Sequence, residues 1–207
     1  MIYTDRASAG RALGAELAHL RASDPLVLGL PRGGVPVAAA VREVIGGDLD
    51  ILLVRKLGVP WQPELAMGAI GAGGVRVLNP DVLDHAGITP RQLAEIEDFE
   101  RAELERRRLV LRGDAEPIAM GGRTVVIVDD GMATGATVVV ACRIVRQEQP
   151  ARIVVAVPVS SVEALHRIEA EADEVICPLV PRTLGGVGAA YRDFHQLEDE
   201  EVTALLS

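Results

Sequence analysis

Val125-Val126-Ile127-Val128-Asp129-Asp130-Gly131-Met132-Ala133-Thr134-Gly135-Ala136-Thr137 is the stretch from which the rest of the chain can be read. Four β-branched apolar residues in a row suit a strand buried on both faces, as in a parallel sheet. The strand ends in two acids, and a turn of small residues then opens a helix. In open α/β sheets, ligands bind at the carboxyl ends of the strands. Free N–H groups at a helix start attract an anion. Gly135 and the flanking alanines let the backbone approach closely, and Thr134 and Thr137 add hydroxyl donors. The plainer reading is a helix cap and turn with no ligand. The stretch has no GxxxxGK pattern of a nucleotide-triphosphate loop.

The paired acids decide between these readings. Two carboxylates beside a phosphate pocket repel its occupant unless they contact something else. Sugar hydroxyls suit them, because carboxylates are strong acceptors of O–H bonds. Phosphate on one side and diol-binding acids on the other describe a seat for ribose 5-phosphate.

Outward from this stretch, short apolar runs alternate with amphipathic segments. That pattern predicts an α/β fold, a single-domain Rossmann-like parallel sheet flanked by helices. A first helix is expected over about Asp5 to Leu20, with Leu13, Leu17 and Leu20 at helical spacing. Strands are expected at Leu26–Leu30 and Leu49–Val54, with a helix between them from Val35 to Ile45. Gly58–Glu64, with Pro60 and Pro63, reads as irregular. Two short strands follow, near Ala66–Ile70 and Val75–Leu78. Thr89-Pro90 opens a long charged helix to about Arg112. After Val128, a helix is expected over Thr134–Gln147, a strand over Ile153–Val157, a helix over Val162–Ala170 and a strand over Glu174–Cys177. The tail from Pro178 to Gln196 is Gly-rich and irregular, and Asp199 can cap a final short helix. No internal repeat or linker divides residues 1–207.

Composition excludes several classes. Hydrophobic residues make up 49% and charged residues 25%, ordinary for a globular domain. No apolar run approaches the roughly 20 residues that cross a bilayer. Asp5 and Arg6 interrupt the first ten residues, unlike a secretory leader, so a cytoplasmic location is expected. Net charge is -9, whereas a nucleic-acid binder needs a basic face; no nucleic-acid or membrane partner is expected. Arg106-Arg107-Arg108 lies among Glu100, Glu103 and Glu105 and reads as a solvated helix face laced with ion pairs. Cys142 and Cys177 form no CxxC pair and read as buried small hydrophobes. The four histidines lack metal-ligand spacing.

Of 21 basic residues, all but Lys56 are arginine. A coding bias accounts for the arginines and leaves Lys56 as the exception, either a chance survivor or a compact charge that arginine does not reproduce. It follows Arg55 at the end of the expected second strand. At the end of the first strand, Leu30-Pro31-Arg32-Gly33-Gly34 opens another helix. Its glycines free backbone N–H groups, and Arg32 offers a bidentate fork for phosphate.

The Val125–Thr137 stretch resembles the 5-phosphoribosyl-1-pyrophosphate (PRPP) motif of type I phosphoribosyltransferases: apolar strand, two acids, short spacer, Thr-Gly-x-Thr. The resemblance extends over most of the chain in element order. It implies the type I fold with a small hood, with hood segments near 84–113 and 178–198. Asp129 and Asp130 would hold the ribose 2- and 3-hydroxyls, and Ala133, Thr134, Gly135, Ala136 and Thr137 would wrap the 5-phosphate. Arg32, Gly33 and Gly34 resemble the family's pyrophosphate loop, which often carries a cis peptide, here expected at Arg32-Gly33. Residues 55–74 match the mobile catalytic loop, so Arg55 and Lys56 would meet the leaving pyrophosphate. Glu64 would touch Mg²⁺ or, preferably, face solvent. Tyr191 and Asp193 loosely resemble base-hood residues, with core packing of Tyr191 and Phe194 the favoured alternative.

Two positions depart from the family pattern. Gly131 stands where a branched apolar residue is usual. Ala133 stands where hypoxanthine-guanine relatives carry an aspartate, which disfavours a 6-oxopurine acceptor.

The resemblance implies a Mg²⁺-dependent transferase that passes the phosphoribosyl group of PRPP to a nitrogenous base and releases pyrophosphate. The catalytic residues would be Arg55, Lys56 and Asp130, the metal would reach Asp129 or Asp130 through water, and the protein would be a homodimer. A catalytically silent PRPP-sensing protein of the same fold is the alternative. PRPP synthesis lacks a recognisable ATP site, and a flavodoxin-like phosphate binder leaves the Asp-Asp pair unexplained.

Overall fold

The run at Val125 forms a central strand buried on both sides. In the computed structural model, which describes residues 2–206 and of Glu64 only the backbone, it is β6 (Thr124–Val128). The sequence expectation for the Glu64 side chain therefore falls outside the described residues. Val125 and Ile127 point into one apolar cluster, and Val126 and Val128 into the other. This is the alternation of a pleated strand with helices on both faces.

Five parallel strands make the sheet: β1 (Leu26–Gly29), β2 (Asp48–Ile51), β6, β7 (Arg152–Ala156) and β8 (Glu174–Ile176), in the order β2-β1-β6-β7-β8. On one face, α1 (Arg6–Glu16) and α2 (Gly34–Ile45) bury Leu13, Val37, Val41 and Ile45 against Val27, Val126 and Val154. On the other, α5 (Ala136–Gln147) buries Val138, Ala141, Cys142 and Val145 against Val125, Ile127 and Val155, with α6 (Val162–Ile168) beside it. Each such aliphatic side chain contributes about 1.5–3 kcal/mol by leaving water. Asp5 caps α1 in a capping box with Ser8.

A second, antiparallel sheet of three strands stands beside the first: β3 (Val54–Val59), β4 (Gln62–Gly71) and β5 (Arg76–Leu78). Here the structure differs from the sequence reading. The apolar run Leu49–Val54 is not one strand: the parallel strand stops at Ile51, and Val54 begins the second sheet. Hydrophobicity alone does not mark where a chain changes sheets, because both segments are buried. Gly58–Glu64 is not irregular either. It is a hairpin end in which the register shifts at Gly58, so Pro63 sits in a bulge where no ladder donor is needed. Arg55 and Lys56 thus lie within a strand of this hairpin.

α3 (Pro80–Ala86), which the sequence reading did not anticipate, leads into α4 (Pro90–Arg112). Thr89 and Gln92 form a capping box at the start of α4. Its Leu93 and Ile96 pack on the hairpin, while Leu104 and Leu111 pack on Val35, Ile51 and Leu53 of the main domain. At its far end, Arg112 meets Asp50 at 2.7 Å and donates to the Ile51 carbonyl at 3.0 Å, anchoring the helix to β2. The tail closes with α7 (Asp199–Leu206), of which Asp199 is the first residue rather than the cap. Cys142 is buried and Cys177 half-buried, both free; burial pushes the Cys142 thiol up to about 12. No helix among the described residues is long and apolar enough to cross a membrane.

Candidate functional site

The carboxyl ends of β1 and β6 lie side by side, and their two turns are pressed together. The Leu30 N–H donates to the Val128 carbonyl at 2.9 Å. A Cβ on Gly34 would stand 2.5 Å from that same carbonyl oxygen, and one on Gly33 would overlap the Asp130 carboxylate. The two glycines are therefore required by the neighbouring turn before any ligand is considered. The cis peptide is Pro31-Arg32, one residue earlier than expected.

Asp129 and Asp130 are half-buried at the end of β6. The Asp130 N–H donates to Asp129 Oδ1 at 2.9 Å. Burial and then the Asp130 charge hold the Asp129 carboxyl well above the ordinary range. Burial also raises Asp130, but Arg6 opposes the shift. Arg6 Nε donates to Asp130 Oδ2 at 2.9 Å, and its Nη1 donates to the His195 carbonyl at 2.9 Å. Its guanidinium lies 4.0 Å over the Phe194 ring, a favourable cation–π contact. Arg6 is thus a buried counter-ion for one of the two acids.

After the acids, Gly135 adopts φ +73° and α5 begins at Ala136, not at Thr134. The N-cap residue, Gly135, has no side chain to cap the helix. Thr134 and Thr137 are exposed. From behind, Ser161 Oγ donates to the Ala133 carbonyl at 2.8 Å and Arg167 donates to the Thr134 carbonyl at 3.2 Å. The turn is held from behind by these neighbours, and within it the Ala136 N–H donates to Thr134 Oγ1 at 3.4 Å.

This turn borders a cavity of about 460 Å³. Thr134, Ala136 and Thr137 line one wall; Arg55, Lys56, Glu100 and Arg107 line the other, with Pro31 at the β1 turn. Arg55 pairs with Glu100 at 2.6 Å. Asp129 and Asp130 adjoin the cavity through the turn but are not on its wall.

Arg32 is also off the wall. Its Nη1 donates to the Leu197 carbonyl at 2.7 Å, and its Nε lies 3.0 Å from Asp199 Oδ1, out of line for a hydrogen bond. Tyr191 is buried against Tyr3 and Phe194, and its hydroxyl donates to the Asp130 carbonyl. Asp193 is exposed and pairs with His195 at 3.0 Å.

The sequence reading missed two residues. Arg6 carried no motif, because its partner Asp130 is 124 positions away. Arg107 was assigned to a solvated face. Its neighbours bear that out, with Arg106 paired to Glu103 and Arg108 to Glu105, but Arg107 turns into the cavity. A signal was present: Glu97, Glu100, Leu104, Arg107 and Leu111 recur at helical spacing, and Leu104 and Leu111 are buried.

Three comparisons bear on this geometry. The family model described as phosphoribosyl transferase domain matches residues 5–192. A Mycobacterium tuberculosis H37Rv protein named "Putative phosphoribosyl transferase Rv0571c" is 46% identical over 205 residues, covering 99% of this chain and 46% of that protein. The chain therefore spans about half the length of the curated relatives it matches. The crystal structure of the TT1426 protein from Thermus thermophilus is 47% identical, with a TM-score of 0.85, over 100% of this chain and 98% of that one. With the family model matching nearly all of it and a solved relative 47% identical over its full length, this chain belongs to the phosphoribosyl transferase domain family.

Proposed function

We propose that the cavity binds PRPP and that the protein transfers its phosphoribosyl group to a nitrogenous base with release of pyrophosphate. One observation carries this reading. A helix start with two threonines and the cations Arg55, Lys56 and Arg107 line one cavity, and two carboxylates head the turn that leads into that helix. The 5-phosphate would occupy Ala133–Thr137, where amide N–H groups and the helix dipole favour an anion. Asp129 and Asp130 would accept the ribose hydroxyls, Asp130 held in place by Arg6. Pyrophosphate would lie toward Arg55 and Lys56.

In such a reaction the C1–O bond lengthens, positive charge gathers on the sugar and negative charge on pyrophosphate. Fixed cations near the leaving group lower that barrier electrostatically. Tyr191 and Asp193, proposed from the resemblance as hood residues, lie in the tail that covers Asp130. The buried Tyr191 ring supports the core-packing alternative for that residue.

Magnesium suits the donor chemistry here. It takes oxygen ligands and keeps several waters, and Asp129 and Asp130 offer only oxygens. The metal would be held mainly by PRPP itself, with Asp129 or Asp130 reaching it through water. The bound metal would neutralise pyrophosphate charge. A homodimer belongs to the same proposal. Trp61 at the hairpin end and Phe99 on α4 are both exposed and would suit an interface between copies, which sedimentation would detect.

The sensing alternative is favoured by one feature: Arg32 is drawn to the C-terminal segment rather than to the cavity. Two measurements test the readings. Calorimetry with Mg²⁺-PRPP should show saturable heat, and its absence would sink both. Pyrophosphate release screened across purines, pyrimidines, orotate and nicotinate should find an acceptor; PRPP binding without release under any of them would leave the sensor.

A further inference from the structure

The C-terminal tail touches both turns at the end of the sheet. Tyr191 donates its hydroxyl to the Asp130 carbonyl, and Arg6 holds the His195 carbonyl at 2.9 Å beside the same acid. Beyond His195 the tail reaches the β1 turn. There Arg32 Nη1 donates to the Leu197 carbonyl at 2.7 Å, and Asp199 Oδ1 stands 3.0 Å from Arg32 Nε. α7 then docks by burying Val202 against Val35, Ile51, Leu104 and Leu111. The tail therefore engages the one arginine that the β1 turn presents.

That engagement is imperfect. Arg32 Nε is buried, yet it is out of line with the Asp199 carboxylate and makes no hydrogen bond among the described residues. A buried donor left unsatisfied costs free energy that a better-placed acceptor recovers. A phosphoryl group has oxygens spaced to take Nε and an Nη of one guanidinium together. Asp199 also acts on α4. Burial and then the charges of Arg55 and Arg32 lower the pKa of the Arg107 guanidinium, and Asp199 opposes that shift. One carboxylate, delivered by the tail, thus serves cations of two elements.

We propose that the C-terminal tail is an autoinhibitory latch: Asp199 and the Leu197 carbonyl occupy Arg32 in the free protein, and a diphosphate ligand must take Arg32 from them. The inference rests on the PRPP reading and adds regulation to it, because Arg32 is the residue that reading gives to the ligand once the latch opens. The side chains of the pair are 32% and 38% exposed, so solvent screens it and a ligand can break it. Once displaced, Asp199 faces the incoming phosphates together with Glu200 and Glu201 of the same helix turn. Like charge then loosens the tail. The latched fraction lowers the apparent affinity for the ligand.

Calorimetry on the full chain, with Mg²⁺-PRPP and Mg²⁺-pyrophosphate as separate probes, compares the unmodified protein with Asp199→Asn. The variant should bind both probes about 2- to 5-fold more tightly, the change that a screened ion pair is worth. Glu200→Gln removes a neighbouring charge that pairs with no arginine among the described residues, and should alter neither affinity. Hydrogen exchange gives a second readout: Mg²⁺-pyrophosphate should speed exchange of the amides of residues 197–206. The latch is overturned, with the PRPP reading intact, if PRPP binds and Asp199→Asn leaves its affinity unchanged or weaker. Equal tightening by Glu200→Gln, or slower exchange in that segment on binding, also overturns it. Tighter pyrophosphate binding by Asp199→Asn without any binding of PRPP upholds the latch and sinks the reading. Binding of neither probe by either protein refutes both.

Discussion

The two walls of the cavity are built in different ways. One is contiguous: Asp129 through Thr137 run from the end of β6 into α5, and backbone geometry shapes the turn, with Gly135 at φ +73° as the residue before the helix. The other is assembled: Arg55 and Lys56 come from a hairpin strand, Glu100 and Arg107 from a helix some way along the chain. The first wall is rigid because the sheet behind it is buried on both faces. The second depends on α4 docking through Leu93, Ile96, Leu104 and Leu111. A contiguous wall survives any change that leaves its strand intact. An assembled wall fails when the docking of either element is disturbed.

The contiguous wall nevertheless leans on remote residues, Arg6, Ser161 and Arg167, and breaking its dependence on Arg6 should give the largest effect. Arg6→Gln leaves Asp130 without its buried counter-ion. Breaking such a pair costs about 3–5 kcal/mol, read as a loss of stability in denaturant melts at neutral pH. The loss should shrink on acidification, because a protonated Asp130 needs no partner. The acid limb of PRPP binding should also move to higher pH, since removing Arg6 raises Asp130 further. An unchanged pH profile would mean that Arg6 serves packing alone.

On the assembled wall, Lys56→Ala should lower turnover by about 2–4 kcal/mol of transition-state stabilisation, with a much smaller change in PRPP affinity. Steady-state and binding measurements on the same preparation separate the two. Normal turnover with the true acceptor would remove the hairpin cation from the mechanism.

The smallest free-energy change expected is at Asp129. Its carboxyl is raised in the fold, so the folded state holds its proton more readily than the unfolded chain. The stability this contributes is present at low pH and is lost as pH rises through the folded value. Asp129→Asn should therefore raise the melting temperature at neutral pH, by roughly 2–4 °C per kcal/mol recovered, while weakening PRPP by about 1–3 kcal/mol through the lost charge-assisted bond to a hydroxyl. A variant less stable at neutral pH would contradict the linkage.

The same contrast separates what was legible in the sequence from what was not. The β6–α5 segment was readable because strand, acids and turn are consecutive, and hydrophobic runs and small residues mark each directly. The parallel sheet followed from similar runs, with boundaries off by a few residues where a strand's end depends on its neighbour, as at Ile51. The hairpin was misread because Pro60 and Pro63 signal a break when viewed locally, whereas a bulge accommodates Pro63 once β4 is in place. Arg107 was misread because an arginine among glutamates looks solvated until the helix has something to dock against.

By itself, the sequence determined the α/β class, the family and the segment proposed to seat a sugar phosphate, because each is written in neighbouring residues whose periodicity and chemistry act locally. Tertiary structure alone decided that Arg6 balances Asp130, that Arg32 turns to the C-terminal segment and that Arg107 faces the cavity. Those outcomes depend on which distant elements are pressed together, and the electrostatics of a buried charge depend on its neighbours in space rather than in sequence.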